Sequence, residues 1–103
     1  MLIVTTETIP GKNYQVIGQT KGSVVRAKHI GRDIMAGFKT LVGGEISGYT
    51  ELLNEAREIA TERMIKEARS MGADAIICTR YVTSAVMDGA SEVMIYGTAV
   101  KFN

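Results

Sequence analysis

The sequence predicts an α+β fold: an antiparallel β-sheet with two helices packed on one face, in the order β-β-α-α-β-β. Three observations predict it. Apolar and β-branched residues cluster at strand spacing near both ends of the chain. Between Lys28 and Met71 they recur instead every three or four residues. A glycine-rich junction, Val42-Gly43-Gly44-Glu45-Ile46-Ser47-Gly48-Tyr49, divides that helical stretch in two.

Leu2-Ile3-Val4-Thr5 is short and β-branched, and Pro10-Gly11-Lys12-Asn13 ends it with turn chemistry. Tyr14 to Val25 reads as one bent strand. Gly18 and Gly22 interrupt it, and at least one of them marks a bulge or sharp bend. From Lys28 the period changes: Ile30, Ile34, Met35, Phe38, Leu41 and Val42 form a helical stripe, and Gly43 follows as a left-handed C-cap. In the second helix Leu53, Ala56, Ala60, Met64, Ala68 and Met71 form the apolar stripe, broadened by Leu52, Ile59 and Ile65. Glutamates come early and basic residues late, as the helix dipole favours, and Glu62 and Lys66 have the spacing of an ion pair. Ser47 or Thr50 is positioned to cap its start and Gly72 its end.

After Gly72 the period becomes two. Ala75, Ile77, Thr79 and Tyr81 are expected on one face, and Ile76, Cys78, Arg80 and Val82 on the other. Asp88-Gly89 signals a hairpin. The returning strand places Val93, Ile95, Gly97 and Ala99 against Met94, Tyr96, Thr98, Val100 and Phe102. Both faces of this strand are largely apolar. One helical layer covers one face, so the second cover is expected from another subunit.

Length and composition agree. With 103 residues the chain is expected to form a single domain over 1–103, and its 46% apolar content is high for so thin a core. Twelve basic residues against eleven acidic ones leave a net charge of +1, which argues against a general electrostatic grip on nucleic acid. Cys78 is the only cysteine, which suits a reducing compartment. No signal-peptide pattern and no run of about 20 apolar residues occurs, so a cytoplasmic protein without membrane association is expected.

Arg32-Asp33-Ile34-Met35-Ala36, the Val42–Thr50 junction, Ala56-Arg57, Arg63-Met64 and Gly72-Ala73-Asp74-Ala75-Ile76 together resemble the YbjQ-like family of small bacterial proteins, over essentially the whole chain. The resemblance implies a dodecin-like subunit that assembles as a ring, a pentamer. It also implies heavy-metal binding, the label this family carries, with no established activity.

Several groups are candidates for chemistry. Cys78 could ligate a soft metal, joined by a methionine or by Cys78 of neighbouring subunits. Against that stands the ordinary behaviour of a free cysteine in an apolar strand, packing as a small hydrophobe, and this weighs more. No C-x-x-C loop accompanies it. His29, with Asp33 one turn on, lacks a second histidine and reads better as a surface residue.

The Gly43, Gly44, Glu45 and Ser47 loop precedes a helix N-terminus, where free N–H groups attract a phosphate or carboxylate. The carboxylate of Glu45 and the missing P-loop lysine favour a purely conformational role for the glycines. Tyr49, Arg57 and Arg63 could line a polar ligand site at a subunit junction, or could fix helix orientation by pairing with Glu45, Glu58 or Glu62. No nucleophile–histidine pair or dinucleotide fingerprint is present. The leading expectation is a homo-oligomeric binding or scaffold module without catalysis. A metal-binding protein using Cys78 comes second, and an enzyme with an intersubunit site for a small anionic substrate third.

Overall fold

The computed structural model describes residues 1–27 and 48–103. These form β1 (Leu2–Ile3), β2 (Tyr14–Ala27), α1 (Tyr49–Ser70), β3 (Ala75–Met87) and β4 (Ala90–Phe102). The four strands make one sheet in the order β1-β3-β4-β2.

Two parts of the expected fold class are corrected. The sheet is mixed, not antiparallel: β1 runs parallel to β3, pairing Leu2 with Ala75 and Ile3 with Ile76, while β4 is antiparallel to both β2 and β3. The described residues carry one helix on that sheet, in the order β-β-α-β-β, rather than the two of a β-β-α-α-β-β domain. The first expected helix, with His29 and Asp33, and the junction through Ser47 lie outside the described residues.

Strand direction is set by connection, not by residue pattern, and the connection from β1 to β2 is long. It starts beside β3 and ends at the opposite edge of the sheet. On the way it crosses the face opposite α1, where Ile9 and Val4 pack with Ala75, Ile77, Val100, Tyr14 and Phe102. Part of the second face is therefore covered by this chain itself, not by a neighbour as the two-sided apolar pattern suggested.

The main core lies on the other face. Ala56, Ala60, Met64 and Ala68 of α1 meet Val24, Ile76, Val93, Ile95 and Ala99. Three of the four helical residues are alanines, so α1 can approach the sheet closely. It crosses β2 at Gly22, where a Cβ would come 2.1 Å from the Ala60 carbonyl oxygen and 2.4 Å from the Met64 nitrogen. Thr20, fully buried, donates its hydroxyl to the Met64 carbonyl at 3.1 Å and binds strand to helix.

The ends of α1 are set by glycine. Its N-cap is Gly48, at φ 80°, with no side-chain capping bond; Ser47 lies outside the described residues and Thr50 sits within the first turn. At the C-terminus Gly72 adopts φ 83°, with Gly72 N–H donating to the Arg69 carbonyl and Ala73 N–H to that of Ala68. This is the Schellman pattern, and it satisfies carbonyls that a helix end leaves bare.

Two of the three long strands, β2 and β3, depart from a regular ladder. β2 is a single strand whose register slips between Val16 and Gly18, as the glycines predict. β3 slips between Ile77 and Arg80, and Cys78 there takes φ 56°, left-handed for a residue that is not glycine. The slip ends the expected alternation. Ile76 and Tyr81, assigned to opposite faces, both look toward α1: Ile76 packs in its core and the Tyr81 hydroxyl meets Thr61 at 2.9 Å.

Candidate functional site

The bulge in β3 divides that strand into two environments. On the inner side Cys78 N–H donates to the Thr6 carbonyl at 3.1 Å, and the Thr79 N–H and hydroxyl both donate to the Val4 carbonyl at 3.1 Å. Arg80 reaches back to the Thr5 carbonyl at 3.3 Å. The left-handed turn at Cys78 thus aims successive donors at residues 4–6 and anchors the N-terminal crossover. Opposite the bulge, Gly97 leaves the space: its Cβ would stand 2.7 Å from Ile76 Cγ2.

On the outer side every residue from Arg80 to Met87 is exposed. Here an open cleft of about 350 Å³ runs between α1 and β3, lined by Arg57, Glu58, Thr61, Glu62 and Tyr81. The Thr61 hydroxyl donates to the Arg57 carbonyl at 2.7 Å and shares its second hydrogen bond with the Tyr81 hydroxyl. Asn54 Oδ1 accepts from Arg57 Nη1 at 2.8 Å and steadies the guanidinium. The cleft offers one cation, two hydroxyls and two carboxylates. That set can hold a small hydrogen-bonding ligand, and it contains no nucleophile with an adjacent base.

The candidate residues are not gathered together. Gly43, Gly44, Glu45 and Ser47 lie outside the described residues. Tyr49 is the first residue of α1. Arg57 and Arg63 stand six positions apart on α1, about 120° around its axis, so they serve opposite flanks. Arg57 lines the cleft beside β3, whereas Arg63 donates to the Ser23 carbonyl of β2 at 2.7 Å.

Among the described residues neither arginine pairs with Glu58 or Glu62, and Glu62 does not bridge to Lys66; the ion pair there joins Arg26 to Glu55 at 2.9 Å. Thr61 and Tyr81 escaped the sequence reading. Tyr81 reaches the cleft only because the bulge turns it toward α1, and nothing in the residue pattern marks a left-handed cysteine.

Cys78 is half-buried at the bulge, where it packs against the apolar cluster of Ile9, Ala75, Ile77 and Val100 as a small hydrophobe does, and its thiol lies 3.8 Å from the Thr6 carbonyl oxygen. Among the described residues no three His, Cys, Asp or Glu side chains come together as a metal site. One thiol with one neighbouring carbonyl does not satisfy a soft metal ion, so the described residues of a single chain do not fit that role. No described helix is long and apolar enough to cross a membrane.

The described residues thus lay one helix, by an alanine stripe, over a mixed four-stranded sheet, an α+β arrangement with an open cleft beside the helix. The chain belongs to the YbjQ family, described as "Putative heavy-metal-binding", which it matches over residues 1–103. It is 56% identical over 101 residues to a UPF0145 protein of Clostridium novyi, covering 98% of each chain. It is 59% identical over 102 residues to a UPF0145 protein of Thermotoga maritima, covering 98% of this chain and 96% of that one. The fold is also similar to a crystal structure of a protein of unknown function from Pediococcus pentosaceus, assigned to the DUF74 family. That similarity has a TM-score of 0.66 at 18% identity and covers 100% of this chain and 98% of the other.

Proposed function

We propose that this chain is a subunit of a cytoplasmic homo-oligomeric binding or scaffold module that performs no catalysis. One observation carries the reading: the exposed large apolar side chains concentrate on strands with free edges. Tyr81, Val82, Val86 and Met87 project from β3, and Val16, Ile17 and Val25 from β2, while β4 between them contributes none. Apolar surface arranged in that way is stabilised by a neighbour. A closed ring, a pentamer as the family resemblance implies, would cover both strands. Of the candidate ligand residues, Arg57 has the best support, because it lines the cleft.

Native mass spectrometry of protein released directly from cells tests the reading. A single defined oligomer is expected, together with any retained small molecule. A monomer at every concentration would remove the proposal.

A second reading, a soft-metal site that gathers Cys78 from several subunits, is favoured by the family description and by the partial exposure of the thiol. Equilibrium dialysis with zinc, copper(I) and cadmium separates the two readings. Uptake lost in Cys78→Ser supports the metal site, and equal weak uptake by both proteins excludes it.

A further inference from the structure

We infer that the outer edge of β3 from Tyr81 to Met87 is a strand-pairing edge occupied by a strand of a second copy of this chain; the inference rests on the homo-oligomer reading above. Two other stretches of sheet edge have their backbone groups covered by this chain itself. At the middle of the β2 edge, α1 supplies substitutes for a missing strand: Lys21 N–H donates to Glu67 Oε1 at 3.0 Å, and the Ser23 carbonyl accepts from Arg63 at 2.7 Å. Along the inner half of β3, β1 and residues 4–6 take the outward groups, down to Cys78 and Thr79.

Beyond that point the backbone cover stops among the described residues. Among the described residues no strand lies outside Tyr81–Met87. In an antiparallel pair alternate residues turn their N–H and C=O groups away from the partner, so Tyr81–Ala85, whose register with β4 is regular, presents a row of such groups outward, ended by a second register slip between Ala85 and Met87.

Its composition also lacks the usual protection. Edge strands are commonly blunted by lysine, proline or inward-pointing charge. Tyr81-Val82-Thr83-Ser84-Ala85-Val86-Met87 contains none of these and is rich in strand-forming residues. Tyr81, Val82, Val86 and Met87 are 51%, 39%, 52% and 58% exposed. An uncharged edge offers no electrostatic selection for nucleic acid or for a charged peptide. It sets no like charges against each other when two copies meet, and a net charge of +1 adds little repulsion between whole subunits. Backbone pairing plus burial of these side chains therefore fits a second copy best.

Hydrogen–deuterium exchange of the intact chain tests this without a variant. Peptides spanning 80–87 are followed in the assembled protein and after dilution to monomer. Uniform protection of Tyr81–Met87 in the assembly is expected, with its outward amides exchanging at least about ten-fold faster on dilution. Fast exchange of these amides in an intact assembly overturns the inference while leaving the oligomer reading standing. Slow exchange that persists in the monomer also overturns it, because the edge is then covered by its own chain. Absence of any assembly removes both proposals together.

Discussion

Gly22 and Cys78 carry backbone requirements of opposite kinds. At Gly22 the constraint is space, because its missing Cβ is occupied by the α1 backbone at Ala60 and Met64. Neither group is a flexible side-chain end, so α1 must lift from β2 to admit a methyl. Gly22→Ala is expected to destabilise the fold by about 3 kcal/mol, measured by urea denaturation. A cost below about 1 kcal/mol would mean that the helix does not sit this close. At Cys78 the constraint is conformation, since φ 56° brings Cβ toward the following carbonyl and is worse for a β-branched residue. Cys78→Val should therefore cost about 1–2 kcal/mol, whereas Cys78→Gly should stay within about 1 kcal/mol of the parent protein. Equal losses in both variants would place the role of Cys78 in its side chain.

Among the elements, α1 was the most legible. Its stripe through Ala56, Ala60, Met64 and Ala68 is local periodicity, and those four residues are its buried ones. Its C-terminus was legible for the same reason, because Gly72 is a signal written in one residue. At Gly72 an added Cβ would meet nothing within 4 Å, so the cost of Gly72→Ala comes only from φ 83°. About 1 kcal/mol is expected by thermal or urea denaturation, with the helix content unchanged by circular dichroism. β3 was legible only in part. Its extent and the Asp88-Gly89 turn follow from pattern, but the slip at Cys78 depends on Val4 and Thr6, more than 70 residues away in sequence. Beyond the slip, face assignments from alternation are inverted, and the cleft formed by Arg57, Thr61 and Tyr81 is hidden for that reason.

At the scale of the whole molecule, the important division is between the stretches of sheet edge that the described residues cover and those they leave open. Glu67 and Arg63 close the middle of β2, residues 2–6 close the inner half of β3, and Tyr81–Met87 is among the stretches that the described residues leave open. Val82 sits on that open stretch and is 39% exposed, so a lysine there can reach water in the monomer. Val82→Lys is expected to preserve the monomer fold, because a single exposed substitution costs little. It should weaken assembly at least ten-fold, as lysine does on natural strand edges. Sedimentation velocity across a concentration series checks this; unchanged assembly with the lysine in place would move the contact elsewhere.

The sequence by itself determined the α+β composition, the position and buried face of α1, the bend in β2 and the β3–β4 hairpin. Each of these depends on residues within a few positions of one another. Tertiary structure alone decided the parallel placement of β1, the crossover of residues 4–13 over the second face, the bulge at Cys78 and the division of polar residues between two flanks of α1. These arise when segments far apart in the chain compete for the same backbone donors and the same apolar surface. That competition is settled by geometry in three dimensions, which no local period records.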